Sequence, residues 1–173
     1  MKIGIAGPTR IKEFCETLKL KKIDYFSFLE NIGKQIALTG HELVVVPAQT
    51  NAPGIIAKAY KNAGGKRIIG IIPTDDDDWG LLDVEPSLAD EIITCGTWRN
   101  QPEKLCEESD VLLVVGYSPG AMIEICYTKW FKVKKVLIVK NYISAKLHPE
   151  IEKDLDLEYI EKTQLMKHDF FKR

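Results

Sequence analysis

Short apolar runs rich in β-branched residues alternate along this chain with longer segments whose apolar positions recur at helical spacing. Lys2 to Ala6, Glu42 to Val46, Arg67 to Ile72, Asp110 to Val115, Val136 to Val139 and Leu157 to Ile160 read as strands, with Glu91 to Thr94 as a further short one. Between them the pattern predicts helices over Ile11 to Leu20, Phe26 to Leu38, Pro53 to Asn62, Glu103 to Glu108, Ala121 to Phe131 and Pro149 to Leu155. Gly40 and Gly64-Gly65 stop two of these helices, and Pro53 suits the first turn of another. Asp110 to Val115 is apolar on both faces, as a strand covered from both sides must be. Strands alternating with helices imply parallel pairing through right-handed crossovers. The expected fold is therefore α/β: a three-layer, doubly wound, Rossmann-like parallel sheet of about six strands.

Length, charge and cysteine usage narrow the class. The 173 residues suit one domain spanning 1–173, with a polar tail from Glu161 to Arg173 that should fray or pack loosely. A formal net charge of -1 gives no basic face for nucleic acid. The clusters Lys19 to Lys22 and Lys132 to Lys135 are short, broken by apolar residues, and read as solvated element ends. Cys15, Cys95, Cys106 and Cys126 form no Cys-x-x-Cys pair and no zinc spacing, which favours reduced thiols in the cytoplasm. No run is long enough to cross a bilayer, and the chain opens directly on a strand, so the expectation is a cytoplasmic protein with no membrane partner.

Candidate chemistry gathers in three loops that follow strands. Ligands of doubly wound sheets sit at the carboxyl ends of the strands, where strand order reverses. Gly7-Pro8-Thr9-Arg10 offers a hydroxyl and a forked guanidinium suited to phosphate. Gly54 lies at the start of the helix after the second strand. Gly116 to Gly120 allows a sharp turn, with Ser118 placed to cap the following helix at Ala121. Glu124 then falls in the first turn of that helix, where a carboxylate feels the positive end of the dipole and should stay ionised. No Gly-x-Gly-x-x-Gly follows the first strand, which argues against an ordinary dinucleotide-binding domain. Asp75 to Asp78 reads as a solvated loop rather than a metal site. Trp79, Trp98 and Tyr117 offer rings either for stacking on a base or for packing, and His41, His148 and His168 fit no catalytic or metal pattern. No metal and no resident cofactor are expected.

The run Pro53 to Gly65, ending in Gly70-Ile71-Ile72-Pro73, resembles the helix, Gly-Gly turn and Gly-Ile-Ile-Pro strand of the Lonely Guy (LOG) or lysine-decarboxylase-like group. That group's relatives include the molybdenum-cofactor carrier proteins and the Rossmann-like domain of DNA-processing protein A. The likeness covers roughly Met1 to Ile151. It places Arg99 on the arginine of an Arg-Lys pair, Gly120 on the third glycine of Pro-Gly-Gly-x-Gly-Thr-x-x-Glu, and Glu124 on its glutamate. In such enzymes this Arg and Glu cleave the N-glycosidic bond of a nucleoside 5′-monophosphate, so the resemblance makes Arg99 and Glu124 the candidate catalytic pair. An oxocarbenium-like state would need an ionised carboxylate beside it. Yet Tyr117 and Ser118 replace two motif glycines, Ala121 replaces a threonine, Asn100 a lysine, and Val46-Pro47-Ala48 a triple glycine. Pro lacks an N–H and a tyrosine side chain blocks close backbone approach. The expectation is a binding protein for a phosphorylated small molecule, held by Gly7, Thr9, Arg10, Gly54, Ser118, Gly120 and Ala121; the alternative is an active phosphoribohydrolase. The resemblance also implies a homodimer, for which Met122, Trp130 and Phe131 supply an apolar surface.

Overall fold

The structure, a computed structural model, describes residues 1–75 and 83–171. Seven strands, rather than about six, form one parallel sheet in the order β4-β3-β2-β1-β5-β6-β7. They are β1 Lys2–Ala6, β2 Glu42–Val45, β3 Ile68–Ile72, β4 Glu91–Thr94, β5 Val111–Val114, β6 Lys135–Val139 and β7 Leu157–Ile160. β1 lies in the middle, registered through Gly4 on Val44 of one neighbour and on Leu112 of the other. Successive strands run outward from β1 to β4, and the chain then returns to lay β5 on the free side of β1. Strand order therefore reverses between β1 and β5, which is where such a sheet opens a crevice at its carboxyl edge.

Alternation along the strands divides the core into two. Ile3, Ile5, Val111, Leu113 and Leu137 face α1 (Ile11–Thr17), α2 (Lys22–Thr39) and α3 (Ala52–Asn62). Val44, Ile71, Leu112, Val114 and Ile138 face the side of α4 (Gln101–Glu108) and α5 (Pro119–Tyr127). Helix α2 buries Tyr25, Leu29, Ile32, Gly33 and Ile36, a stripe at helical spacing. Gly33 lets α3 approach: a Cβ there would come 2.3 Å from the Ile56 carbonyl oxygen. Short α6 (Pro149–Glu152) precedes β7.

Two expectations change. Helix α2 begins four residues earlier than Phe26, and the carboxyl-terminal segment does not fray over its described part, 161–171. Leu165 is fully buried and Phe171 is 5% exposed, both within the core on the α2 side. His41 Nε2 lies 2.7 Å from the Phe170 carbonyl oxygen, tying the segment to the start of β2. A run that reads as polar by composition packs by its few apolar anchors.

Candidate functional site

At the reversal point, the loops after β1, β2 and β5 meet. Ser118 caps α5, its Oγ accepting from the Ala121 N–H at 3.1 Å, and donates to the Gly7 carbonyl oxygen at 3.3 Å. The Ala52 N–H at the start of α3 donates to the Pro8 carbonyl oxygen at 3.0 Å. Gly7 is needed for this convergence, because a Cβ there would lie 2.8 Å from Val115 and 3.2 Å from Ala52. Below them the Tyr25 hydroxyl donates to the Val115 carbonyl oxygen at 2.8 Å, fixing the end of β5. Phe14 fills the space over Gly116, where a Cβ would approach its ring to 2.6 Å.

The structure sorts the sequence-derived ligand residues into those facing solvent and those consumed internally. Thr9, Arg10 and Gly120 are exposed at this edge, and Ser118 is half-buried. Arg10 forms no ion pair among the described residues. The Gly120 N–H, in the first turn of α5, is among those a helix leaves without an intrahelical acceptor. Gly54 is buried: its N–H is taken by Asn51 Oδ1 at 2.7 Å, and a Cβ would collide with the Ala48 carbonyl. Its glycine serves helix-to-loop packing. Ala121 is likewise buried with its N–H used by the cap. Gly7 supplies the hinge between loops.

Tyr117 turns away from this edge. Its ring packs with the core on the α5 side of the sheet, whereas α1 packs on the other side. Its hydroxyl is sealed from solvent beside Tyr159 and Glu152; burial above all, then the charge and hydrogen bond of Tyr159 and the charge of Glu152, push its pKa up and hold it protonated.

Glu124 departs most from its expected state. It lies in the second turn of α5, is 7% exposed, and faces α4, where Gln101 Nε2 donates to its Oε1 at 2.9 Å. Desolvation pushes its pKa from 4.5 up to about 8, and the Gln101 hydrogen bond offsets only part of that. The expectation of an ionised carboxylate is thus corrected: burial outweighs the helix dipole. Arg99 stands exposed two residues before Gln101 and makes no ion pair with Glu124 or with any other described residue. Gln101 is the residue that sequence reasoning missed. Its signal was a polar residue in register with Leu105 and Ser109, four and eight positions on, all three buried on one face of α4 and its end.

The remaining candidates add nothing to this edge. Trp79 and Asp76 to Asp78 lie outside the described residues, and among those described no group of His, Cys, Asp and Glu is placed to hold a metal ion. No disulfide joins the four cysteines, of which Cys126 is half-buried and the others buried. A surface recess of about 370 Å³ lined by Lys2, Glu108 and Asp110 opens at the amino end of the sheet.

Residues 1–167 match the model of the SLOG cluster4 family. No curated protein matches the chain in sequence. Among solved structures, the molybdenum cofactor binding protein of the phototrophic bacterium Rippkaea orientalis superposes with a TM-score of 0.68 at 18% identity, over 96% of this chain and 93% of that one. The molybdenum cofactor carrier protein MCP from Chlamydomonas reinhardtii does so with a TM-score of 0.69 at 22% identity, over 96% and 93%. Likeness at these identities establishes a shared fold.

Proposed function

The chain belongs to the SLOG cluster4 family, and from that premise we propose that it is a cytoplasmic binding protein for a phosphorylated small molecule, a nucleotide or nucleotide-like cofactor, that has diverged catalytically from the LOG enzymes it resembles. The observation that carries this reading is the Ser118 to Gly7 hydrogen bond across the β1/β5 reversal point. It joins the loop bearing Thr9 and Arg10 to the start of α5, so a hydroxyl, a guanidinium and the Gly120 N–H share one solvent-facing edge suited to phosphate. Hydrolysis lacks its electrostatic partner, since Glu124 is sealed between α4 and α5 and mostly neutral at pH 7. The molybdenum cofactor bound by the two solved neighbours is one candidate ligand, carried as cargo and not used as a resident group.

The same reading includes a homodimer. Helix α5 has no exposed charged side chain, and Ile123 and Trp130 beside it are 47% and 69% exposed, with Met122 and Phe131 half-buried. An apolar strip of this kind, with Lys129 at its margin, fits a second copy of itself.

The test pairs thermal unfolding with product analysis over phosphate, nucleoside monophosphates and molybdenum cofactor. A ligand at a hundred times its Kd should stabilise the protein by about 2.7 kcal/mol. That gain should fall sharply in Arg10→Ala, with no free base formed. Base release abolished by Glu124→Gln would establish the hydrolase instead, and absence of stabilisation by every compound would remove the site.

A further inference from the structure

Around the corner between α1 and α2, several local rules of stability are broken within a few residues. Lys19 has a φ of 54°, the only positive value at a non-glycine position among the described residues. It occupies the helix-ending place where glycine is usual, with the Leu20 N–H reaching back to the Cys15 carbonyl oxygen. Lys21 then takes the N-cap position of the 18-residue α2 and makes no capping hydrogen bond, while Lys22 is its first residue. Two cations thus sit at the positive end of a long helix, where carboxylates belong; only Asp24 in that turn complements the dipole. Ile23 is 71% exposed, and no large apolar side chain among the described residues is more so. Departures clustered in this way are characteristic of functional surfaces.

The lysines of this corner stand outside the ion pairs of the described surface, as Lys12, Lys132 and Lys146 do. Lys2, Lys66 and Lys129 each sit within 3.0 Å of a carboxylate. Lys19, Lys21 and Lys22 form no ion pair among the described residues. Lys22 Nζ lies 5.2 Å from the centre of the Phe26 ring. Lys22, Ile23, Phe26, Ser27 and Glu30 together line a shallow recess of about 430 Å³ on the outer face of α2. The recess has an apolar centre with Lys22 and Glu30 in its lining, and Lys19 and Lys21 precede it in the chain.

We propose that this face docks an acidic amphipathic helix of a partner protein, its apolar stripe set against Ile23 and Phe26 and its carboxylates against Lys19, Lys21 and Lys22. Helix-in-groove recognition uses an apolar anchor for affinity and rim charges for orientation and rate. Glu30 in the recess and Asp24 beside it favour a protein over an anionic bilayer: a helix can place a Lys opposite each carboxylate, whereas a layer of anionic headgroups meets both as repulsion.

The experiment uses the full chain and a labelled synthetic helix with a Leu/Phe stripe flanked by Glu, read by fluorescence anisotropy. Binding should weaken with added salt, and Ile23→Ser should weaken it by about tenfold or more, as for a buried anchor. Lys21→Glu with Lys22→Glu should abolish it while leaving the thermal midpoint unchanged or raised, because the reversed charges suit the start of α2. The proposal fails if the charge-reversed protein binds equally well, if a scrambled peptide of the same composition does, or if the helix does not bind. Sedimentation with phosphatidylserine vesicles in place of peptide binding would assign the face to lipid and overturn it.

Discussion

A carboxyl group whose proton leaves at about pH 8 is mostly neutral at pH 7, so Glu124 enters the folded core as an acid that donates as well as accepts. Its folded pKa is raised above the value of 4.5 expected when unfolded. The stabilising contribution is then complete below the unfolded value, drains away as pH rises through the window from 4.5 to about 8, and is gone above it. The size of that loss is on the order of 5 kcal/mol. Urea unfolding of Glu124→Gln should lack this slope, matching wild type to within about 1 kcal/mol near pH 5 and exceeding it above pH 8. A variant whose stability tracks wild type across the window would refute the buried-acid account. The sequence placed Glu124 on the helix that follows β5 and stopped there. Its partner Gln101 lies 23 residues earlier on another helix, and only packing of α4 against α5 brings the two together. Gly54 is found packed inside for a related reason: a glycine that admits a ligand and one that admits a neighbouring carbonyl read alike in the sequence.

Among the elements, those with a strong local signal were readable almost to their ends. β1 and β4 have the expected bounds, and α3 begins one residue before Pro53. The start of α2 was hidden because Lys21 and Lys22 present none of the usual opening chemistry. The last segment was misread because its charged residues dominate the composition, while Leu165 and Phe171 do the packing in two separate 3-10 turns. Ending the chain at Ile160 removes both anchors and bares part of the core. Each buried side chain of this size contributes about 1.5–3 kcal/mol, offset in part by the entropy of ordering the segment. A net loss of about 3 kcal/mol should appear as a lowered urea midpoint. An unchanged midpoint would show that the segment rides on the fold without supporting it.

For the whole molecule, alternation of strands and helices was enough to give a parallel three-layer sheet, but not the order of its strands. Right-handed crossovers fix on which face each helix lies once direction is known; they do not say when the chain turns back past β1. That single reversal decides where ligand loops converge. The exposed Ile123 and Trp130 carry an expectation at the same level: light scattering at micromolar concentration should give twice the chain mass, and Trp130→Glu should halve it. A monomer in the unmutated protein would leave the α5 strip without its partner. The contact between Ser118 and Gly7 spans 111 positions of the chain. A growing polypeptide on the ribosome therefore exposes Thr9 and Arg10 long before β5 emerges to sit beside them. Any amino-terminal fragment that stops short of β5 lacks the Ser118 side of the proposed site, so a ligand of that site would act as a folding template only once β5 and the start of α5 have been made.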